Sequence, residues 1–168
     1  MKERISNAND RTQELLINNG LTLSVAESCT GGMIGSTITS LSGSSKYFMG
    51  GIIAYHKDVK EKLLGVNNAL LATYGEVSLE VVTEMAIGVK CSLKTDCAIA
   101  VSGVAGPTGG SPEKPVGLVC FAICIPGKMD IFNSRFTGDR DSIRQQTVAK
   151  ALEKLCELLE DGGHSNDR

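Results

Sequence analysis

Two stretches of the sequence carry residue types and spacings that could do chemistry. AESCTGG (residues 26–32) places Ser28, Thr30, Gly31 and Gly32 where a β-prone run turns into a helix. Free amide donors and small hydroxyls in such a turn could hold a phosphate or a carboxylate. The same residues also describe a tightly turned, capped helix start. Cys29 could act there as a nucleophile, since a helix start stabilises a thiolate; the favoured reading is a small buried residue packing the turn. The second stretch, VSGVAGPTGGSPEKPVG (101–117), holds five glycines and three of the chain's four prolines. Glycine lets a ligand approach the main chain and proline fixes the shape of a loop. Ser102, Gly103, Ala105 and Gly106, which lead out of an apolar run, are therefore candidate binding residues.

Several chemistries are set aside by what is missing. There is no G-x-x-x-x-G-K-[ST], and the glycines at 103, 106, 109 and 110 do not form G-x-G-x-x-G, so ATP and NAD binding by those routes are not expected. Only two histidines occur, His56 and His164. No pair has zinc spacing, and no metal or organic cofactor is expected. A serine nucleophile would have to use His56, which beside Lys57 reads as a solvated loop residue, or else a lysine base. The six cysteines include no C-x-x-C and read as free, mostly buried thiols.

The chain of 168 residues, 42% hydrophobic and 21% charged, fits one soluble globular domain over 1–168, with a disordered tail expected at 162–168. A formal charge of −2 and the lack of a basic, aromatic-laced patch argue against nucleic acid. The longest apolar run, Leu118 to Ile125, is too short to span a bilayer, and the polar first twenty residues do not resemble a signal peptide, so a cytoplasmic protein is expected.

Periodicity predicts the elements that must position these residues. Helices are expected at 4–19, at 31 to about 41, at 57–64 and 68–74, from Ser78 through Cys91, and at 139–159. Strands are expected at 21–26, 47–55 and 95–101, and a hairpin at 116–125 and 129–136 around Pro126-Gly127. The pattern is that of an α/β fold: a single three-layer domain with a mixed sheet of about five strands flanked by helices.

Taken as a set, AESCTGG, GSSKYFMGGIIAY (43–55), SGVAGPTGGSPEKPVG (102–117) and FTGDRDSIR (136–144) resemble the successive signatures of the CinA carboxy-terminal domain family. The resemblance runs from about Leu15 to Leu159. It implies a nicotinamide mononucleotide deamidase, which hydrolyses the carboxamide to nicotinate mononucleotide and ammonia without a cofactor. It also implies the stand-alone form, since the chain is too short for the additional amino-terminal domain of larger members. A homo-oligomer with this small-molecule substrate as its partner is expected.

The resemblance places the nucleophile on Ser45, the second serine of G-S-S, and the base on Lys60, with Tyr55 and Arg140 completing the catalytic set. A lysine base must be neutral, which requires burial or cationic neighbours to bring it down from about 10.4. Arg140 is expected to supply that positive field and to anchor substrate. Ser28, Thr30, Gly31, Gly32, Ser102, Gly103, Ala105 and Gly106 are expected to bind substrate. Composition alone would leave Ser45 a turn residue, Tyr55 a core aromatic, and Lys60 and Arg140 solvated charges. His56-Lys57 departs from the Ser-Asn common in the family at that point. The competing expectation is a non-catalytic nucleotide-binding or regulatory module linked to competence or DNA damage.

Overall fold

Small and large side chains alternate along the central strands, and this alternation builds the layers. In the computed structural model, which describes residues 1–162, five strands form one mixed sheet: β1 (Leu23–Glu27), β2 (Phe48–Ile53), β3 (Cys97–Gly103), β4 (Leu118–Ile125) and β5 (Lys128–Arg135). Their order is β2-β1-β3-β4-β5, with β1 parallel to both β2 and β3, and β3-β4-β5 antiparallel. Leu23, Val25, Ile99, Val101, Phe121 and Ile123 face one way and pack under α1 (Lys2–Asn19), α2 (Met33–Thr39) and α6 (Arg140–Gly162). Ala26, Ala98, Ala100, Cys120, Ala122 and Cys124 face the other way, toward α4 (Asn68–Tyr74) and α5 (Leu79–Leu93), with α3 (Lys57–Leu64) beside them. Side chains this small let α5 settle closely on the sheet, consistent with the tight packing of interiors.

The α/β fold with a five-stranded mixed sheet and helices on both faces is the one expected from periodicity. Among the described residues there are six α-helices, plus a short 3-10 turn at Ser44–Lys46. Local chemistry explains their ends. The Ser78 hydroxyl accepts from the Val81 amide (3.2 Å) and starts α5, as its position suggested. Gly20, at φ +63°, closes α1. The expected tail falls, from residue 163 onward and with His164, outside the described residues.

Cys29, Cys97, Cys120, Cys124 and Cys156 are buried and free, and Cys91 is free and exposed. No helix among the described residues is long and apolar enough to cross a membrane. The path of the chain then determines where a ligand can sit. From β1 it passes through α2 to β2 at the sheet edge; from β2 it returns by α3, α4 and α5 across the other face to β3. Loops leaving the carboxyl ends of β1 and β2 therefore run to opposite faces, which opens a crevice at that end.

Candidate active site

The crevice lies where the fold requires it, and its inner wall is built around one buried amine. Lys60, in the first half of α3, is fully buried. Its Nζ donates to the Ala54 carbonyl (2.8 Å), to the Ser28 hydroxyl (3.0 Å) and to the Tyr55 carbonyl (3.1 Å). Glu76 Oε1 lies 3.4 Å away, from the segment between α4 and α5. Burial holds the Lys60 ammonium below its usual range, while Glu76 acts in the opposite direction. The lowering comes from desolvation; the positive field anticipated from Arg140 is not its cause.

Ser28 reaches Lys60 because β1 ends one residue earlier, in register with its neighbours. The Ser28 amide donates to the Val101 carbonyl of β3, and the Ala54 amide donates to Glu27 at the end of β2. Ser28, Tyr55, Glu76, Ser102, Ala105 and Arg140 are among the residues lining a pocket of about 200 Å³ at this point. A larger concavity, about 660 Å³, lies between α1 and α6, and its walls include Arg4, Arg11 and Glu153 in surface ion pairs but no serine or lysine. The smaller pocket is the candidate site because a hydroxyl and a carboxylate on its wall, Ser28 and Glu76, both contact the buried Lys60 amine behind them.

The rest of the 26–32 turn has a different job from the one expected. Glu27, 1% exposed, takes the amides of Gly32 (3.0 Å), Ile34 (3.1 Å) and Gly35 (2.8 Å) and the Thr30 hydroxyl (2.6 Å) on its own carboxylate. The start of α2 thus already holds an internal anion, leaving those donors nothing to offer a substrate phosphate. Thr30, Gly31 and Gly32, expected as substrate-binding residues, shape the turn and are not among the residues that line the pocket. Arg144 locks the turn from α6, donating to the carbonyls of Cys29 (3.2 Å) and Thr30 (3.0 Å). Burial pushes the Cys29 thiol up to about 12, so it is a poor source of thiolate near neutral pH.

Ser45 is not brought to Lys60. It is exposed, in the 3-10 turn that precedes β2, whereas Tyr55 and Lys60 follow β2. The Tyr47 carbonyl just beyond it accepts from Leu23, at the start of β1. The length of a six-residue strand, roughly 20 Å, therefore separates Ser45 from the pocket within the chain. The serine that shares a hydrogen bond with Lys60 is Ser28.

Tyr55 and Arg140 meet at the exposed rim, where Arg140 donates to the Tyr55 hydroxyl (3.2 Å) and to the Gly106 carbonyl (2.8 Å). Ser102, almost fully buried, donates to the Glu76 carbonyl (2.8 Å) and so fixes the backbone beneath that carboxylate. Gly103 and Ala105 line the pocket, but two glycines of this loop answer to packing first. A Cβ on Gly103 would lie 2.7 Å from Val119 Cγ2, and one on Gly106, at φ +71°, would lie 2.4 Å from Val116 Cγ1. The Lys114 ammonium donates to the Tyr74 carbonyl and straps the loop to the end of α4. His56 is an exposed helix cap whose Nδ1 accepts from the Asp58 amide (3.2 Å), and it does not line the pocket. Glu76 was missed by sequence reasoning, because a lone glutamate between two helices carries no signal until the helices are placed.

Comparison with known proteins agrees with the fold. The profile of the CinA C-terminal domain matches residues 5–159, and the chain belongs to that family. It is 48% identical over 145 residues to a CinA-like protein of Kosmotoga olearia, and 44% identical over 153 residues to a putative competence-damage inducible protein of Clostridium beijerinckii. It spans 86% and 91% of its own length in these matches but only 35% and 37% of theirs, about a third of these longer relatives. Among solved structures, a competence-damaged protein (CinA) superfamily protein from Klebsiella pneumoniae superposes with a TM-score of 0.90 at 33% identity, covering 94% of this chain and 98% of that one. A competence/damage inducible protein from Agrobacterium tumefaciens gives 0.90 at 39% identity, covering 92% and 95%.

Proposed function

We propose that this member of the CinA C-terminal domain family is an amidohydrolase acting on the carboxamide of nicotinamide mononucleotide, with Ser28 as nucleophile and Lys60 as its base. One observation carries the reading: a fully buried lysine whose Nζ stands 3.0 Å from a pocket-lining serine hydroxyl. In the neutral amine two N–H bonds serve the Ala54 and Tyr55 carbonyls, and the remaining lone pair faces Ser28. The Ser28 proton passes to Lys60 as Oγ attacks the carboxamide carbon. Lys60 then returns that proton to the departing nitrogen, and ammonia leaves an acyl ester on Ser28. A water deprotonated by Lys60 hydrolyses the ester, giving nicotinate mononucleotide and the free serine.

The rest of the pocket supports a nucleotide amide. The Ala105 amide, which has no hydrogen-bond partner among the described residues, is a donor available for the oxyanion. Arg140 at the rim offers a guanidinium to the ribose phosphate, which extends outward because a pocket of about 200 Å³ takes little more than a ring and its amide. A purely regulatory binding module gives no reason to bury an amine against a serine at the expense of its solvation, which favours turnover. The test is ammonia release from nicotinamide mononucleotide by the purified protein and its Ser28→Ala variant. Release by the first and not the second is expected; release by neither, or equally by both, overturns the assignment.

A further inference from the structure

Glu76 has no role in the proton transfers above, yet it lies on the pocket wall. Its side chain is 45% exposed, and among the described residues the one partner of its carboxylate is the Lys60 ammonium. Its backbone is held in place from beneath by Ser102. Once Lys60 gives up its proton to act as a base, that carboxylate faces the cavity with no cation from α3. The other groups on the wall that could carry charge are Arg140 and Tyr55, which engage each other at the rim, and the Cys29 thiol, which burial keeps protonated. The working pocket is therefore polarised, with a negative inner wall at Glu76 and a positive rim at Arg140.

A polarised pocket selects a polarised ligand. A pyridine ring bearing a sugar on its nitrogen is a cation, and its phosphate is an anion, so the two ends match the two charges in the order in which they would enter. We infer that Glu76 is the specificity-determining residue of this site: its carboxylate recognises the cationic heteroaromatic ring and discriminates against neutral amides of the same shape. This rests on the proposed deamidase reading and deepens it, since neither Ser28 nor Lys60 can distinguish ring charges. Glu76→Gln preserves shape and removes only the charge, and the side chain is exposed enough to make misfolding an improbable confounder.

The experiment measures calorimetric binding to Ser28→Ala and to Ser28→Ala/Glu76→Gln. The probes are nicotinamide mononucleotide and its reduced dihydropyridine form, which keeps the ribose phosphate but has a neutral ring. Glu76→Gln should weaken binding of the cationic compound about tenfold, the scale of one partly screened charge contact, and leave the neutral one unchanged. An equal loss for both would make Glu76 a structural support, and no loss for either would remove it from recognition; each result overturns the inference. Ammonia release by the wild type together with either result would leave the deamidase reading standing. Failure of Ser28→Ala to bind either compound, together with no ammonia release by the wild type, would take down both.

Discussion

Two serine turns in this molecule look alike in sequence and differ in nearly everything else. Ser28 and Ser45 each sit among small residues beside a strand. Ser28 follows β1 and packs on a buried amine; Ser45 precedes β2 and faces solvent. The difference is one of strand direction. In an open parallel arrangement, the connections at the carboxyl ends converge around a crevice, while those at the amino ends do not. A serine before a strand is therefore a poor partner for a lysine after it, however well the residue types suit each other.

The comparison breaks most decisively by mutation. On the proposed mechanism, Ser28→Ala and Lys60→Met should each lower turnover of nicotinamide mononucleotide by about a thousandfold or more, and the double variant should be little worse, because a nucleophile and its base act as a unit. Lys60→Arg should fail likewise, since a guanidinium stays protonated. Ser45→Ala, an exposed change, should stay within about twofold of wild type. Steady-state ammonia release measures all of these. Full activity in Ser28→Ala with loss in Ser45→Ala would return the nucleophile to the turn before β2, and would require a second chain to bring it to Lys60.

A second test sharpens what each turn is for. The turn after β1 is held by Glu27, whose carboxylate is the acceptor for three amides and a hydroxyl. Glu27→Ala would leave those buried and half-buried donors without their acceptor and should cost on the order of 3 kcal/mol of stability. Urea denaturation measures it. Gly43→Ala, in the turn before β2, has open space for the new Cβ but sits at φ +87°. Only the backbone strain remains there, and the loss should be nearer about 1 kcal/mol.

The same contrast explains what the sequence could and could not convey. Helix and strand positions were readable because they rest on local periodicity, caps and glycine stops, as with Ser78 at α5 and Gly20 after α1. The importance of Lys60 was readable only through resemblance, since nothing in KDVKEKLL separates one lysine from the next. Its isolation from water depends on three elements closing over it: the end of β1, the β2–α3 turn and the segment carrying Glu76. The engagement of Thr30, Gly31 and Gly32 within their own turn was hidden for a related reason. Their donors were counted as free, although Glu27, a few residues earlier, folds back to take the Thr30 hydroxyl and the Gly32 amide, and the Ser28 carbonyl takes the amide of Gly31. The 103–106 loop shows the opposite case: its glycines signalled close approach correctly, but the approaching group is Val116 or Val119.

A smaller effect concerns how the pocket sets its operating range. Activity that needs neutral Lys60 should rise with pH along an acidic limb governed by its lowered ionisation. Glu76 opposes that lowering, so Glu76→Gln should move the limb to lower pH, read from kcat/KM against pH. A limb unmoved in Glu76→Gln but abolished in Lys60→Met would show that the carboxylate does not feel the amine.

The smallest expected effect is on stability, and its sign follows from the same burial. The folded state holds Lys60 below its unfolded value of about 10.4, so between the two ionisations the unfolded chain carries a proton that the folded chain lacks. Stability from this residue therefore increases as pH rises through that window. It levels off above the unfolded value and is lowest at pH below the folded one, where the ammonium must be buried charged. Lys60→Met removes the titration, so the thermal midpoint of wild type relative to Lys60→Met should climb as pH is raised from neutrality toward 10. Ser45→Ala should track the wild type in parallel at every pH, because the turn before β2 has no part in that burial. A wild-type midpoint that falls relative to Lys60→Met over this range would mean that the folded protein holds the lysine proton more tightly than water does. Glu76 and the two carbonyls would then outweigh desolvation, and Lys60 could not serve as a base near neutral pH.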